Sequence, residues 1–152
     1  MALGPTDDID ILARARREIG GSYVPSDDED YMSGPQQDYF RKLLNGWKRL
    51  ILDASAGTLQ QLQDGPIREP DMNDRASSET DWSIELRTRD RQRKLITKID
   101  AAIRRIEDGD YGFCEVSGEP IGLGRLVARP IATMAVEAQE AHERREKISR
   151  DD

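Results

Sequence analysis

Two stretches of this chain carry apolar residues at steps of three and four, with a proline-marked break between them, and few folds satisfy both features. In the first, Phe40, Leu43, Leu44, Trp47, Leu50, Ile51, Ala54, Leu59 and Leu62 recur from Pro35 onward, which puts them on one face of a long helix. In the second, Trp82, Leu86, Leu95, Ile96, Ile99, Ala102, Ile103 and Ile106 follow the same rule up to Asp108, and Gly109 supplies the stop. Gly65-Pro66 and Pro70 end the first helix, because proline has no N–H to donate and its ring clashes with the preceding turn. The second helix is predicted to begin at about Arg75 or Ser78, with Ser78 and Asp81 as an imperfect capping box. Neither helix buries its stripe alone, so the two are predicted to double back as an antiparallel coiled-coil hairpin over residues 35–108, with its tip near 64–77. At about 1.5 Å per residue such an arm is roughly 40 Å long.

The composition agrees with narrow helical seams. The 152 residues are 36% hydrophobic and 35% charged, lean for a thick core but sufficient for paired helices. A net charge of −7 repels phosphate backbones and anionic membranes, so the expected partner is another protein, with no direct nucleic-acid and no membrane contact. The single cysteine, Cys114, excludes an intramolecular disulfide. No basic segment followed by an apolar run opens the chain, and no apolar run is long enough to span a bilayer, so the expected location is the cytoplasm.

Outside the hairpin the pattern changes. Residues 1–34 are predicted to form a short amphipathic helix, with Ile9, Leu12, Ala13 and Ile19 on one side, and then a loop; this segment is expected to pack on the globular module. The acid run Asp27 to Asp30 reads as a solvated linker. Residues 109–133 hold Gly109, Gly112, Gly118, Pro120, Gly122 and Gly124, a breaker density that indicates a small turn-rich module. Residues 134–152 return to helix and end in the charged run Glu143 to Lys147. The fold class is therefore mainly α: a coiled-coil hairpin, a small globular module and a C-terminal helix.

Several linked motifs carry a resemblance. Tyr31-Met32, Asp74-Arg75-Ala76, Leu86 to Arg91, Arg93 to Ile96, Tyr111 to Glu115, Ile121-Gly122, Arg125-Leu126 and Ala128 to Pro130 stand in order over residues 31–148. Together they resemble the DksA branch of the DksA/TraR family. The resemblance implies a regulator that enters the secondary channel of RNA polymerase and alters open-complex stability at ribosomal RNA and amino-acid biosynthesis promoters, together with the alarmone ppGpp. It implies no enzyme activity and a monomer. The family's tip pattern stands here as Asp71, Asp74 and Ala76; read without the family, those aspartates would be turn-forming and capping residues.

The same resemblance points to Arg87 and Arg91 as polymerase contacts, and to Leu95, Lys98, Arg129 and position 139 as ppGpp contacts shared with polymerase. Between Arg87 and Arg105 eight basic residues face two acids, a local excess suited to phosphate or carboxylate partners. Read without the family, this is a solvated face steadied by pairs such as Asp90 with Lys94. Position 139 is Gln139 where the family commonly has lysine, so weaker synergy with ppGpp is expected.

The family usually holds a structural zinc with four cysteines. The matching positions here are Cys114, Ser117, Ala135 and Ala138, and His142 is the only histidine. A closed tetrahedral shell of thiolate or imidazole cannot be assembled from these, so a degenerate, zinc-free finger is expected, with no permanently bound cofactor and ppGpp as effector. The module is then expected to hold by packing of Tyr111, Phe113, Ile121, Leu123, Leu126 and Val127 against the C-terminal helix. Cys114 is expected to be an inert remnant rather than a redox switch.

Three other readings compete. A structural coiled-coil adaptor explains the seams but not the tip pattern. A Mg²⁺-dependent nuclease using Asp71 and Asp74 lacks a nearby histidine, a phosphate-cradling loop and a pocket. Direct DNA binding by the basic helix is interrupted by Asp90 and Asp100 and has no groove-reading fold around it.

Overall fold

The computed structural model describes residues 5–19, 21, 23–64 and 72–151, with side chains over 11–19, 21, 23–56 and 79–148. Its elements are α1 (Pro5–Glu18), α2 (Gly34–Asp64), α3 (Met72–Asp108), α4 (Leu123–Ala128) and α5 (Val136–Asp151). The fold is mainly helical, and extended structure among the described residues is an isolated antiparallel bridge between Phe113 and Pro120. The long helices α2 and α3 form the antiparallel hairpin that the two apolar stripes require. The chain divides into two compact units: Met1–Gly20 with Asn45–Ile99, and Gly21–Leu44 with Asp100–Asp152.

In the first unit the core comes from Trp47, Leu50 and Ile51 of α2, Ile99 of α3, and Leu12 and Ala15 of α1. The buried positions of α3 run Thr88, Gln92 and Ile99, a heptad phase that the apolar residues alone do not reveal. Leu86, expected on the seam, is 41% exposed because it lies off that phase. The helix α1, expected on the globular module, belongs instead to this unit, where its apolar face is covered and Glu18 lies 3.7 Å from Arg49 of α2. That ion pair is exposed and worth little in itself; the burial of Leu12 and Ala15 is what holds the helix.

In the second unit Phe40, Leu43 and Leu44 of α2 and Ala102 and Ile106 of α3 are buried together with Tyr111, Ile121, Leu123, Leu126 and Ala132. The helix α3 stops where Gly109 takes a positive φ of 82°, and the N–H of Asp110 donates back to the Arg105 carbonyl at 2.8 Å. This left-handed closure satisfies carbonyls that the helix end would otherwise leave unpaired. The module rests on the loop before α2 and on α2 itself: Tyr31 meets Phe113 edge-on at 5.5 Å, and Phe40 lies 5.5 Å from Tyr111. In α5, Ala138, Gln139 and Ala141 are half-buried and the other described side chains are exposed.

Candidate functional site

The helix α3 begins at Met72, earlier than Arg75 or Ser78. Asp74 and Ala76 therefore stand in its first turns and not in the connecting segment, and Ser78 lies too far inside to cap it. Asp71 lies outside the described residues, and the side chains of Asp74 and Ala76 lie outside the described side chains. Backbone N–H groups of a first helical turn carry partial positive charge, so an acidic residue at position 74 suits the helix start.

Further along α3, Arg87, Arg89, Arg93, Lys94 and Lys98 are exposed, and Arg91 and Leu95 are half-buried. Asp90 pairs with Arg93 at 3.0 Å, one turn away and in place of the expected Lys94. The result is an outward cationic face on the first unit. In the second unit Arg129 is exposed, and Gln139 donates its amide to Glu143 Oε1 at 3.1 Å within α5. Of the residues assigned to ppGpp, Leu95 and Lys98 thus fall in the first unit, Arg129 and Gln139 in the second.

The module is built around Arg105. Its guanidinium donates to Glu115 Oε1 at 3.1 Å, to the Asp110 carbonyl at 3.1 Å and to the Phe113 carbonyl at 2.7 Å, tying the last turn of α3 to the turns that follow it. Tyr111 donates its hydroxyl to the Pro130 carbonyl at 2.7 Å, and burial pushes its phenol far above the ordinary tyrosine value. An open hollow of about 350 Å³ beside these turns is lined by Arg105, Asp110, Phe113, Cys114, Glu115 and Gly118.

Cys114 is buried, whereas Ser117 is exposed and Ala135 and Ala138 are half-buried. Burial pushes its thiol up, but the Ser117 hydroxyl and the backbone N–H groups of Ser117, Ala135 and Val116 outweigh this and bring it down to about 7.

Sequence reasoning missed two constellations. The first is a clasp: Tyr31 donates its hydroxyl to the Gly112 carbonyl at 2.6 Å and accepts the Gly122 N–H at 3.0 Å. Beside it, Gln36 is fully buried, accepting the Met32 N–H at 2.8 Å and donating to the Ser26 carbonyl at 3.0 Å. The second is a polar layer in the hairpin, where Ser55 donates to Gln92 Oε1 at 2.7 Å. The signal for it was present, since Gln92 lies seven residues before Ile99 on the same heptad position.

Residues 36–106 match the family model described as DnaK suppressor protein DksA, N-terminal domain, and residues 109–144 match the prokaryotic dksA/traR C4-type zinc finger. The chain is 61% identical over 130 residues to the RNA polymerase-binding transcription factor DksA of Caulobacter vibrioides, covering 86% of this chain and 92% of that protein. The chain belongs to the DksA family. The DksA of Escherichia coli strain K12 is 40% identical over 142 residues, covering 93% of this chain and 92% of that protein. The solved structure of transcription factor DksA2 from Pseudomonas aeruginosa superposes with a TM-score of 0.71 at 38% identity, covering 92% of this chain and 98% of that one. The DksA family is one of transcription factors, not of enzymes.

The match over residues 109–144 overturns the expectation of a chain outside zinc chemistry, because the C4-type finger it detects points to zinc binding. No group of three or more His, Cys, Asp or Glu side chains able to hold a metal ion is found among the described residues, and Ser117, Ala135 and Ala138 supply no thiolate. The residues present do not fit a four-thiolate shell. No helix among the described residues is long and apolar enough to cross a membrane.

Proposed function

We propose that this chain regulates transcription by binding RNA polymerase, reaching into its secondary channel with the α2–α3 hairpin and changing open-complex stability at ribosomal RNA and amino-acid biosynthesis promoters. The observation that carries this reading is the hairpin itself, built over the residues that match the DksA N-terminal domain, in a chain whose relatives are named RNA polymerase-binding transcription factors. Asp71, Asp74 and Ala76 act at its end: carboxylates there accept hydrogen bonds from polymerase groups and shift the local field, and the small Ala76 admits close approach. Arg87 and Arg91 contact polymerase through charge-assisted hydrogen bonds. The alarmone ppGpp acts as effector, with Lys98 and Arg129 as cationic donors to its phosphates and Leu95 as an apolar contact. Gln139 contributes no charge to this, so the synergy is weaker than in relatives with a cation there. The protein acts as a cytoplasmic monomer and touches no DNA.

Transcription with purified polymerase tests this. The protein is expected to bind polymerase and to shorten the lifetime of open complexes at a ribosomal promoter, more so with ppGpp. Lys98→Ala is expected to lower the ppGpp-dependent part while leaving polymerase affinity in place. Equal loss of both contradicts the assignment of Lys98. A stable dimer by hydrodynamic mass that ignores polymerase favours the adaptor reading.

A further inference from the structure

The α2–α3 seam of the first unit changes chemistry part-way along. Trp47, Leu50, Ile51 and Ile99 fill it with apolar side chains, but beyond them Ser55 and Gln92 face each other, Oγ to Oε1 at 2.7 Å. Gln92 is 1% exposed, and its Nε2 has no partner among the described residues. A buried carboxamide with half its capacity unmet is an unfavourable filler for a position that leucine would occupy well. What it supplies is positional. A slide of α3 by one turn, about 5.4 Å, toward Ile51 would set the amide against a hydrocarbon wall and leave both of its polar ends unpaired. Leaving a buried acceptor unsatisfied disfavours that alignment by roughly five- to hundredfold, and buried polar residues in a seam, here Gln92 with Thr88 one turn before it, are a device by which coiled coils select one register.

We propose that Ser55 and Gln92 are positioning residues that hold α3 in a single alignment along α2 and thereby fix where the start of α3, with Asp74, stands. The alignment is a property of the hairpin alone; its consequence for transcription rests on the function proposed above. The pair acts through geometry and touches no partner.

Paired spin labels at the exposed Asp53 and Asp81, introduced as cysteines in a Cys114→Ser background, read the alignment as a distance. The otherwise unsubstituted protein and the conservative Ser55→Thr variant are expected to give one narrow distance. Ser55→Val combined with Gln92→Leu is expected to add a second, displaced by about 5 Å, with a Tm no lower than before. A single unchanged distance in that double variant overturns the proposal. So does a lowered Tm with no second distance, which would make the pair an ordinary stabilising contact. The unlabelled double variant is expected to shorten open-complex lifetime less than the wild type. Should the wild type itself leave that lifetime unchanged, the functional reading fails while the distances still decide the alignment.

Discussion

Tyr31 joins three parts of the second unit through one hydroxyl, which donates to Gly112 and accepts from Gly122 while its ring meets Phe113. Tyr31→Phe removes both bonds; the Gly112 carbonyl keeps the Ile121 N–H at 2.8 Å but the Gly122 N–H loses its acceptor, so urea unfolding is expected to show a loss of about 1–2 kcal/mol. Gly112 is the tighter constraint. It holds a φ of +92°, and a Cβ there would lie 2.9 Å from Met32 Cγ and Sδ; Gly112→Ala is expected to cost about 1–3 kcal/mol in the same measurement. Alkaline pH reports on the same region. Burial raises both Tyr31 and Tyr111 above the ordinary 10.0. Below that value neither the folded nor the unfolded chain ionises them. Above it the unfolded chain loses protons first, so stability is expected to fall as pH rises past 10. Tyr111→Phe should flatten that fall, and an unchanged slope would mean that other groups set it. The residues Tyr31 and Met32 were visible in the sequence as part of a motif. Their grip on Gly112 was not, because it joins positions far apart in the chain and uses a positive φ at Met32 that no local propensity favours.

Among the elements, the two long helices were legible because their stripes repeat over many turns, and the stops at Asp64 and Gly109 follow from proline and glycine chemistry. The phase of α3 was less legible. Counting apolar residues selects Leu86, whereas the seam set by Ile99 passes through Gln92 and Thr88, and polar side chains hide a heptad from any reading that follows hydrophobicity. The start of α3 was misplaced for a related reason: Met72 to Ser78 lack an apolar stripe, and weak propensity gives no boundary. The short helix α4 was read only as turns, since its six residues carry too few repeats to show a period. Where α3 ends, Arg105 is the joint. Arg105→Ala is expected to destabilise the protein by on the order of 2 kcal/mol, because two backbone carbonyls and a carboxylate lose their charged donor; a change within error would mean that the helix stop at Gly109 holds the module unaided.

At the scale of the whole molecule, family membership was legible from ordered motifs over most of the chain, and the zinc expectation was not upheld: counting cysteines treated the finger as lost, whereas residues 109–144 match the C4-type zinc finger. In this segment the Cys114 N–H donates to the Glu119 carbonyl and the Gly118 N–H to the Cys114 carbonyl. Which unit each proposed contact occupies was also beyond the sequence, since the division at Leu44 and Ile99 cuts through continuous helices. The central claim is that the hairpin delivers a carboxylate at position 74 to polymerase. Asp74→Asn keeps size and removes charge in a hairpin held elsewhere by Phe40, Ile51 and Ile99. The direct measurement is open-complex lifetime at a ribosomal promoter with purified polymerase, taken beside binding affinity for wild type and Asp74→Asn. The account predicts that the variant binds within about twofold of wild type, a change below about 0.5 kcal/mol, yet fails to shorten the lifetime; a variant that regulates as well as the wild type would contradict it.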